Sequence, residues 1–521
     1  MTILCRPLDA SKGFTGLKSD RGGSLMERRK LQTAAGTTLS DTMASRKSAK
    51  AFGTILVSIV IGGLVAASLT IRGKPGASAG AVPPSETTAI PPPVCGRPND
   101  GQVHIPPDWT SFSPPATGES YVDPVFGCKV RRLTNSSVEE TLPDGKRLSF
   151  MHYYSTFSPI NATDTMVLIY SSNGAWRIKG IDGNVVIAAG KMPTMNNGHP
   201  VWDAPDGNVF YYALGKTLHK ATIAGGSVKS TVVQTFKEYG GIVSPDAADL
   251  SQDGGHIALV GQNANNTMDV FVWSLHAQAK TSVYRTVCTI SGSVTTTPQP
   301  GCLHKLQLTA NNLLSIQFAE DGPGLEQGTR LWDGTNLVHL QDTTNHYDTG
   351  YDLSGKPIFI AVNNSETLAP LKNPCRGGWG LDVRQQENIS SAVCLLDKQP
   401  SWHVSYRGSA SQPWAAISFF DDRKPGPELF DTNPAFQAPS LKNWELFEGE
   451  IILARIDGGA IYRLAHARSR SAEGYWGTPR AAISRDGEYV VFTSNMAHPD
   501  GCPQNMHVPD ECTDVYLIKA H

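Results

Sequence analysis

The sequence predicts an all-β protein, a seven-bladed β-propeller whose N-terminal strand completes the last blade and which follows one transmembrane helix. Three observations support this prediction. Fifty glycines and 35 prolines divide the chain into short segments. Apolar runs of strand length follow turn residues. Seven such units recur roughly every 45 to 55 residues, the length of a four-stranded blade, with one longer step near the end. A two-domain β-sandwich is the alternative architecture.

The first element is the apolar run Phe52–Ile71, which contains no charged residue. At about 1.5 Å per residue a helix of this length crosses a bilayer. Arg46, Lys47 and Lys50 precede it, so the positive-inside rule keeps residues 1–51 in the cytoplasm as a leader. The rest of the chain then lies in the periplasm or outside the cell. A buried core helix is the alternative.

Cleavage of the apolar run is a further alternative. Met43 starts a segment that resembles a signal peptide, and the small residues at 77–79 offer a cleavage site, so that the chain would be secreted. We expect a retained signal-anchor, because the run is longer than a typical signal core. Residues 72–94, rich in Gly, Ala, Ser and Pro, then form a tether, and residues 95–521 form the propeller.

Strands are expected where an apolar run follows each turn segment. In the last unit three strands are expected, at 480–483, 489–493 and 513–518, and Cys128–Thr134 supplies the fourth. Pairing of this early strand with the last blade closes the ring and removes exposed sheet edges. Across the seven units the clearest strands are Thr165–Tyr170, Asn208–Tyr212, His256–Gly261, Leu313–Phe318, Pro357–Val362, Trp414–Phe420 and Tyr489–Thr493.

Eight of the nine cysteines follow the apolar run and form four pairs of near neighbours in the sequence. Such pairs are typical of disulfides in an oxidising compartment. Zinc ligation is the alternative, although no C-x-x-C spacing occurs. The predicted disulfides are Cys95/Cys128, Cys288/Cys302, Cys375/Cys394 and Cys502/Cys512. The formal net charge of −2 argues against a nucleic-acid partner.

Polar residues recur near one position of each unit, shortly before its turn. Equivalent positions in a ring converge on one mouth of the central channel. Imidazoles there can bind Zn, Mn or Cu or act as general bases, a carboxylate adds a ligand, and an arginine holds an acidic group. The alternative is that each residue only hydrogen-bonds a neighbouring blade. The residues are His152, His199, Asp246, His304, His346, His403 and Arg480, and Trp476 adds a stacking surface beside the seventh position.

Two runs, Leu-Ser-Gln-Asp-Gly-Gly-His-Ile-Ala-Leu-Val at 250–260 and Ile-Ser-Arg-Asp-Gly-Glu-Tyr-Val-Val-Phe-Thr-Ser-Asn at 483–495, resemble the repeats of TolB-like propellers. The resemblance spans residues 125–520 and implies a fold rather than an activity.

The histidine set also resembles that of oligogalacturonate lyases, seven-bladed propellers that cleave pectin fragments by β-elimination with a histidine base and a divalent metal. This resemblance implies His304 as the catalytic base, and His346 and His403 as ligands of Mn or Zn. The family's metal site pairs histidines two residues apart, whereas Ser401 and Ser405 stand two residues from His403.

The sequence therefore predicts a membrane-tethered extracytoplasmic module that binds a small carbohydrate or a peptide at the mouth. Its ligand contacts are expected from His152, His199, Asp246, Trp476 and Arg480. A metal-dependent lyase acting on an acidic oligosaccharide is the second hypothesis. A scaffold that binds another envelope protein is the third.

Overall fold

The computed structural model describes residues 92–521, with gaps. The leader, the apolar run Phe52–Ile71 and nearly all of the tether lie outside the described residues. Within the described part, no helix is long and apolar enough to span a membrane. The gaps are residues 110, 197, 245–248, 298–300, 342–345, 363–373, 377–379, 398–400, 410, 420–443, 470–474, 499–501 and 510.

Seven antiparallel sheets form the seven blades of a β-propeller, as the repeat spacing predicts. The first strands of blades 5, 6 and 7 contact one another, so the first strand of each blade lies innermost, along the channel. From the inner to the outer strand, blade 1 comprises Phe150–Met151, Met166–Ser171, Trp176–Gly180 and Val185–Ile187; blade 2 Val201–Trp202, Val209–Leu214, Thr217–Ala224 and Ser227–Thr235; and blade 3 Ile242–Val243, His256–Gln262, Thr267–Ser274 and Ala279–Thr289.

The remaining four blades follow in the same order. Blade 4 comprises Leu303–Leu308, Leu314–Phe318, Thr329–Trp332 and Leu337–Gln341; blade 5 Tyr347–Tyr351, Pro357–Val362, Leu381–Gln385 and Ala392–Leu396; blade 6 Ser401–Ser405, Trp414–Phe419, Glu450–Arg455 and Ile461–His466; and blade 7 Ala482–Ile483, Tyr489–Ser494, Asp514–Lys519 and Lys129–Arg132.

The second strand of each blade is the one that the sequence pattern predicts best. Met166–Ser171 is predicted at Thr165–Tyr170, and Pro357–Val362 is predicted with its observed bounds. These strands are almost wholly buried because each blade packs against a neighbour on both faces. A strand buried on both sides needs a continuous apolar run of β-branched and aromatic residues, which is the pattern in the sequence.

The hydrophobic core of the described chain is divided into seven clusters, one at each interface between neighbouring blades. Leu168 and Phe210 belong to the cluster between blades 1 and 2. Phe150 and Val491 belong to the cluster between blades 7 and 1, which exists only when the ring is closed. Closure of the ring therefore buries a hydrophobic cluster of its own.

The N-terminal strand closes the ring as predicted. Lys129–Arg132 pairs with Asp514–Lys519 as the fourth strand of blade 7. The buried Asp514 carboxylate accepts hydrogen bonds from the Arg132 guanidinium at 2.7 Å and from the Thr134 hydroxyl at 2.9 Å. A buried ion pair at the junction thus fixes the register of the closing strand.

Two further strands were not predicted. Ser120–Val122 adds a fifth strand to blade 7, and Arg97–Pro98 adds a fifth strand to blade 6 by pairing with Ile461–His466. Both strands are short, one contains Pro98 and the other is followed by Asp123 and Pro124, so the strand pattern is weak in this part of the sequence.

All four predicted cysteine pairs are disulfides, so the zinc alternative is wrong for them. Four disulfides indicate folding in an oxidising, extracytoplasmic environment. One ties the segment before the closing strand to that strand, one joins blade 3 to blade 4, and two lie within blades 5 and 7. They are, in that order, Cys95–Cys128, Cys288–Cys302, Cys375–Cys394 and Cys502–Cys512.

Replacing Asp514 by Asn should strip the buried Arg132 of its counter-ion. Breaking a buried pair on one side costs about 3–5 kcal/mol, so the free energy of unfolding should fall by that amount in denaturant titrations. Asp144→Asn is the matched control, because Asp144 and Lys146 form an exposed pair that is worth about 0–1 kcal/mol. Equal effects of the two substitutions would contradict this account of closure.

Candidate functional site

The predicted polar residues lie at or beside the innermost strands. His152 follows the inner strand of blade 1, His304 and His403 lie within those of blades 4 and 6, and His346 directly precedes that of blade 5. Arg480 precedes the inner strand of blade 7 by two residues. Asp246 lies outside the described residues.

Strand irregularities shape this end of the channel. The pairing register shifts between Leu303 and Lys305, and again between Ser401 and His403. Bulges of this kind re-aim side chains and are common beside functional sites. They occur where His304 and His403 lie, and a strict two-residue alternation cannot predict them.

The rings of His346 and His403 lie against each other. Their ring centroids are 4.3 Å apart, and the Tyr154 ring lies 6.0 and 5.4 Å from them. Burial lowers the pKa of His403 well below its ordinary value, and the nearby basic groups of His346, Arg480, His152 and Lys305 lower it further. Five basic side chains from blades 1, 4, 5, 6 and 7 therefore converge here, and we call these five the basic mouth.

His152 is fully buried and joins two blades. Its Nε2 lies 2.7 Å from the Arg480 carbonyl oxygen, so Nε2–H is the donor, and Nδ1 accepts from the Thr493 hydroxyl at 2.9 Å. Burial lowers the pKa of His152 to about 3. This histidine is neutral at pH 7 and connects blade 1 to blade 7, which is the alternative role that the sequence left open.

Lys305 is a member of the basic mouth that the sequence reasoning missed. It is buried, with Nζ 4.8 Å from the centre of the Tyr347 ring and 5.6 Å from that of Tyr154. Cation–π contacts of this length stabilise a desolvated ammonium group. The sequence signal for Lys305 is a lysine placed between the leucines of the inner strand Leu303–Leu308.

Arg480 is fully buried and has a φ of 45°. Left-handed backbone at a residue other than glycine costs on the order of 1 kcal/mol and is concentrated at functional sites. Its Nη1 lies 3.7 Å from the Met151 sulfur, beside the inner strand of blade 1. The strained backbone thus places the guanidinium across the junction of blades 7 and 1.

His199 and Trp476 belong to an aromatic group rather than to the basic mouth. His199 lies 5.1 Å from Tyr153 and 5.0 Å from Phe157. Tyr153, whose φ is 85°, lies 5.5 Å from Tyr170, and Tyr170 stacks on Trp476 at 5.7 Å with a 17° angle between rings. Because Tyr153 and Tyr154 are consecutive, this aromatic belt adjoins the basic mouth.

A complete metal site is not formed at the mouth by the described residues. The one described group of three His, Cys, Asp or Glu residues with ligand atoms within 4.8 Å of one another is Cys288, Cys302 and Glu326. Its two cysteines are joined in a disulfide, which leaves no thiolate for a metal. His346 and His403 supply two imidazoles, but Mn²⁺ prefers several oxygen ligands. The described residues therefore do not fit a manganese centre.

Below the mouth, a buried ionic network crosses the channel. The Arg407 guanidinium forms ion pairs with Asp348 at 2.8 Å and Asp249 at 3.3 Å, and it donates to the Thr156 carbonyl. Gln307 donates to Asp348, and Arg485 pairs with Asp249 at 3.0 Å. Among these residues a cavity of only about 10 Å³ remains, about enough for one water. Little space therefore remains between the side chains of blades 3 to 6 at this level of the channel.

Substituting His152 by Gln should change how stability depends on pH. The pKa of His152 is lowered in the folded protein, so the unfolded chain binds the proton more tightly. Stability from this group is complete above pH 6.5 and falls as the pH drops from 6.5 toward about 3. The unfolding free energies of wild type and variant, measured from pH 7 to 4.5, should converge by about 1.4 kcal/mol per pH unit below 6. Parallel curves would contradict the assigned pKa.

Comparison with known proteins yields similarity of fold. Neither a protein-family model nor a curated protein sequence matches this chain. An oligogalacturonate lyase in complex with manganese is 12% identical, with a TM-score of 0.46 over 77% of this chain and 96% of the other. An oligogalacturonate lyase from Vibrio parahaemolyticus is 10% identical, with a TM-score of 0.45 over 77% of this chain and 96% of the other. The Pan2 WD40 domain of Neurospora crassa is 10% identical, with a TM-score of 0.39 over 75% of this chain and 95% of the other. The strand pairing described above establishes the seven blades, and the chain is similar to these oligogalacturonate lyases in fold alone.

Proposed function

We propose that the propeller binds an acidic carbohydrate at the basic mouth. The convergence of His152, Lys305, His346, His403 and Arg480 supports this proposal. Lys305 and Arg480 are buried cations that create a positive field, and an entering carboxylate provides the complementary charge. His346 and His304 are only partly buried, so they are the residues within reach of a ligand.

The adjoining aromatic belt favours a carbohydrate over a peptide. Tyr153, Tyr170 and Trp476 are partly exposed and arranged ring against ring. Amphipathic aromatic surfaces beside a few polar hooks suit the apolar faces of sugar rings. Under this proposal one acidic sugar occupies the mouth, and the next sugar lies against the belt near His199.

We also propose that the propeller is held at a membrane by the apolar run Phe52–Ile71. The disulfides support an extracytoplasmic location for the propeller, on the far side from the basic leader. An envelope protein that shares this location is the partner that we expect. A secreted form, with the run removed, is the alternative.

A lyase acting by β-elimination is the second candidate. His304 is partly buried, sits at a strand bulge, and directly precedes Lys305. As a general base it would remove the proton next to a sugar carboxylate; the bond to the leaving oxygen then breaks and a conjugated double bond forms. Lys305 and Arg480 would stabilise the charge that develops on the carboxylate. A divalent metal, Mn or Zn, on His346 and His403 belongs to this candidate, but the described residues leave its ligand set incomplete.

Replacing Lys305 by Met should weaken binding of acidic sugars, because it removes a buried positive charge while keeping the length of the side chain. Calorimetric titration of the full-length chain should show a trimer of galacturonic acid binding more tightly than the neutral galactose trimer. The variant should lose roughly tenfold to a hundredfold in affinity for the acid, as expected for a charge-assisted contact.

Lys519→Met is the matched control. Lys519 is exposed and lies at the other end of its strand pair from Thr493, the partner of His152. This substitution should leave the affinity for the acidic trimer unchanged. Equal affinity for the acidic and neutral trimers would overturn the proposal, and tighter binding of an acidic peptide would overturn the preference for carbohydrate.

The lyase is tested by the ultraviolet absorbance of a conjugated product in the same samples. If the absorbance appears with the wild-type chain and is lost in His304→Ala while that variant still binds the trimer, the chain is a lyase. Unchanged product formation after exhaustive chelation would exclude its metal.

A further inference from the structure

A second cavity lies at the perimeter of the propeller, away from the channel. It has a volume of about 620 Å³ and lies between the outer strand of blade 3 and the outer hairpin of blade 4. This volume falls in the range of small-molecule sites, about 300–1,000 Å³. We call it the perimeter groove; its walls include Tyr284, Val287, Leu325, Glu326, Trp332 and Leu337.

Glu326 is an unusual residue for this place. Its side chain is only 3% exposed, and its carboxylate accepts hydrogen bonds from the hydroxyls of Tyr284 and Thr286 and from the backbone N–H of Val287. These partners are all neutral, and no Lys, Arg or His nitrogen of the described chain forms an ion pair with it. Buried carboxylates are rarely without a cation. The groove therefore has a negative charge in its wall that the described protein does not balance.

Both acidic and basic residues lie near Glu326 in the sequence. Glu320 and Asp321 lie exposed on the same loop. Arg330, the nearest cation in the sequence, donates to the carbonyl oxygens of Leu325, Thr329 and Gln341. Burial, and then the adjacent Glu326 carboxylate, raise the pKa of Tyr284, so its hydroxyl remains a donor to the carboxylate. Glu326 supplies a carboxylate to the groove, and Arg330 is directed to carbonyl oxygens rather than to that carboxylate.

The walls of the groove are aromatic and apolar. The rings of Tyr284 and Trp332 are 5.0 Å apart and inclined at 54°. Val287 is 65% exposed and Leu325 is 70% exposed, which is high for large apolar side chains. Two ring faces beside a carboxylate are the elements of aromatic sites that hold ammonium groups by cation–π attraction.

We propose that the perimeter groove binds an organic cation, an amine or quaternary ammonium group attached to an apolar body. The ammonium group lies against Tyr284 and Trp332 near Glu326, and the apolar body covers Val287 and Leu325. A metal ion fits this place less well. The oxygens of Glu326 already accept from neutral donors, and the neighbouring Cys288 and Cys302 are joined in a disulfide.

The test uses benzyltrimethylammonium as the probe and neopentylbenzene, its uncharged carbon analogue, for comparison. Binding to the full-length oxidised chain is followed by ligand-observed NMR. The cation should bind saturably and the neutral analogue roughly tenfold more weakly, the difference expected from about 1.4 kcal/mol of cation–π and charge attraction. Glu326→Gln and Trp332→Leu should each weaken cation binding by about the same factor.

Two comparisons keep the result interpretable. His346→Ala, in the basic mouth, should leave binding of the cation unchanged, so failure of the mouth proposal and failure of this one are distinguishable. Thermal melting establishes that each variant is folded, and Tyr284→Phe provides a milder substitution if Glu326→Gln unfolds. Equal binding of the cation and its neutral analogue would overturn the proposal, as would undiminished binding in both Glu326→Gln and Trp332→Leu. Saturable binding of Zn²⁺ or Ca²⁺ that displaces the cation would overturn it in favour of a metal.

Discussion

The ion pairs of Arg407 are the constraint on which the centre of this propeller depends. A ring of blades held only by apolar contacts leaves its axis open, and polar inner-strand residues would face water there. Arg407, from blade 6, instead reaches Asp249 of blade 3, Asp348 of blade 5 and a carbonyl of blade 1. Gln307 and Arg485 bring blades 4 and 7 into the same network. These contacts hold six of the seven blades at fixed positions along the channel axis, because a buried charge tolerates little displacement from its partner.

The character of the mouth follows from this arrangement. Lys305 and His403 lie two and four residues before the network residues Gln307 and Arg407, on or beside the same inner strands. His152 and His403 are kept neutral by burial, whose effect on the pKa of each exceeds that of any hydrogen bond. Lys305 and Arg480 are the strongly basic groups of the mouth. The perimeter groove has the carboxylate of Glu326 in its wall, so the two ligands that we propose differ in the sign of their charge.

The fold was largely predictable from the sequence, whereas the chemistry of the site was only partly so. Second strands such as Pro357–Val362 are buried on both faces and leave a continuous apolar run, and cysteine pairs such as Cys502–Cys512 are near neighbours. The common register of His346 and His403 predicted that they meet, and their rings are 4.3 Å apart. Lys305 was missed because a bulge at His304 alters which side chains face the channel, and local periodicity carries no information about bulges. The Arg407 network was missed because its partners are distant in the sequence.

Amide hydrogen exchange of Arg407→Met, compared with wild type, tests the central claim that one cross-axis network holds the inner strands together. Exchange reports local opening strand by strand. The account predicts that amide exchange becomes faster in several blades together, in the inner strands of blades 3, 5 and 6 and in the segment after the inner strand of blade 1. Exchange in the outer strands should be unchanged. Acceleration confined to blade 6 would contradict it, because Arg407 would then stabilise only the blade that carries it.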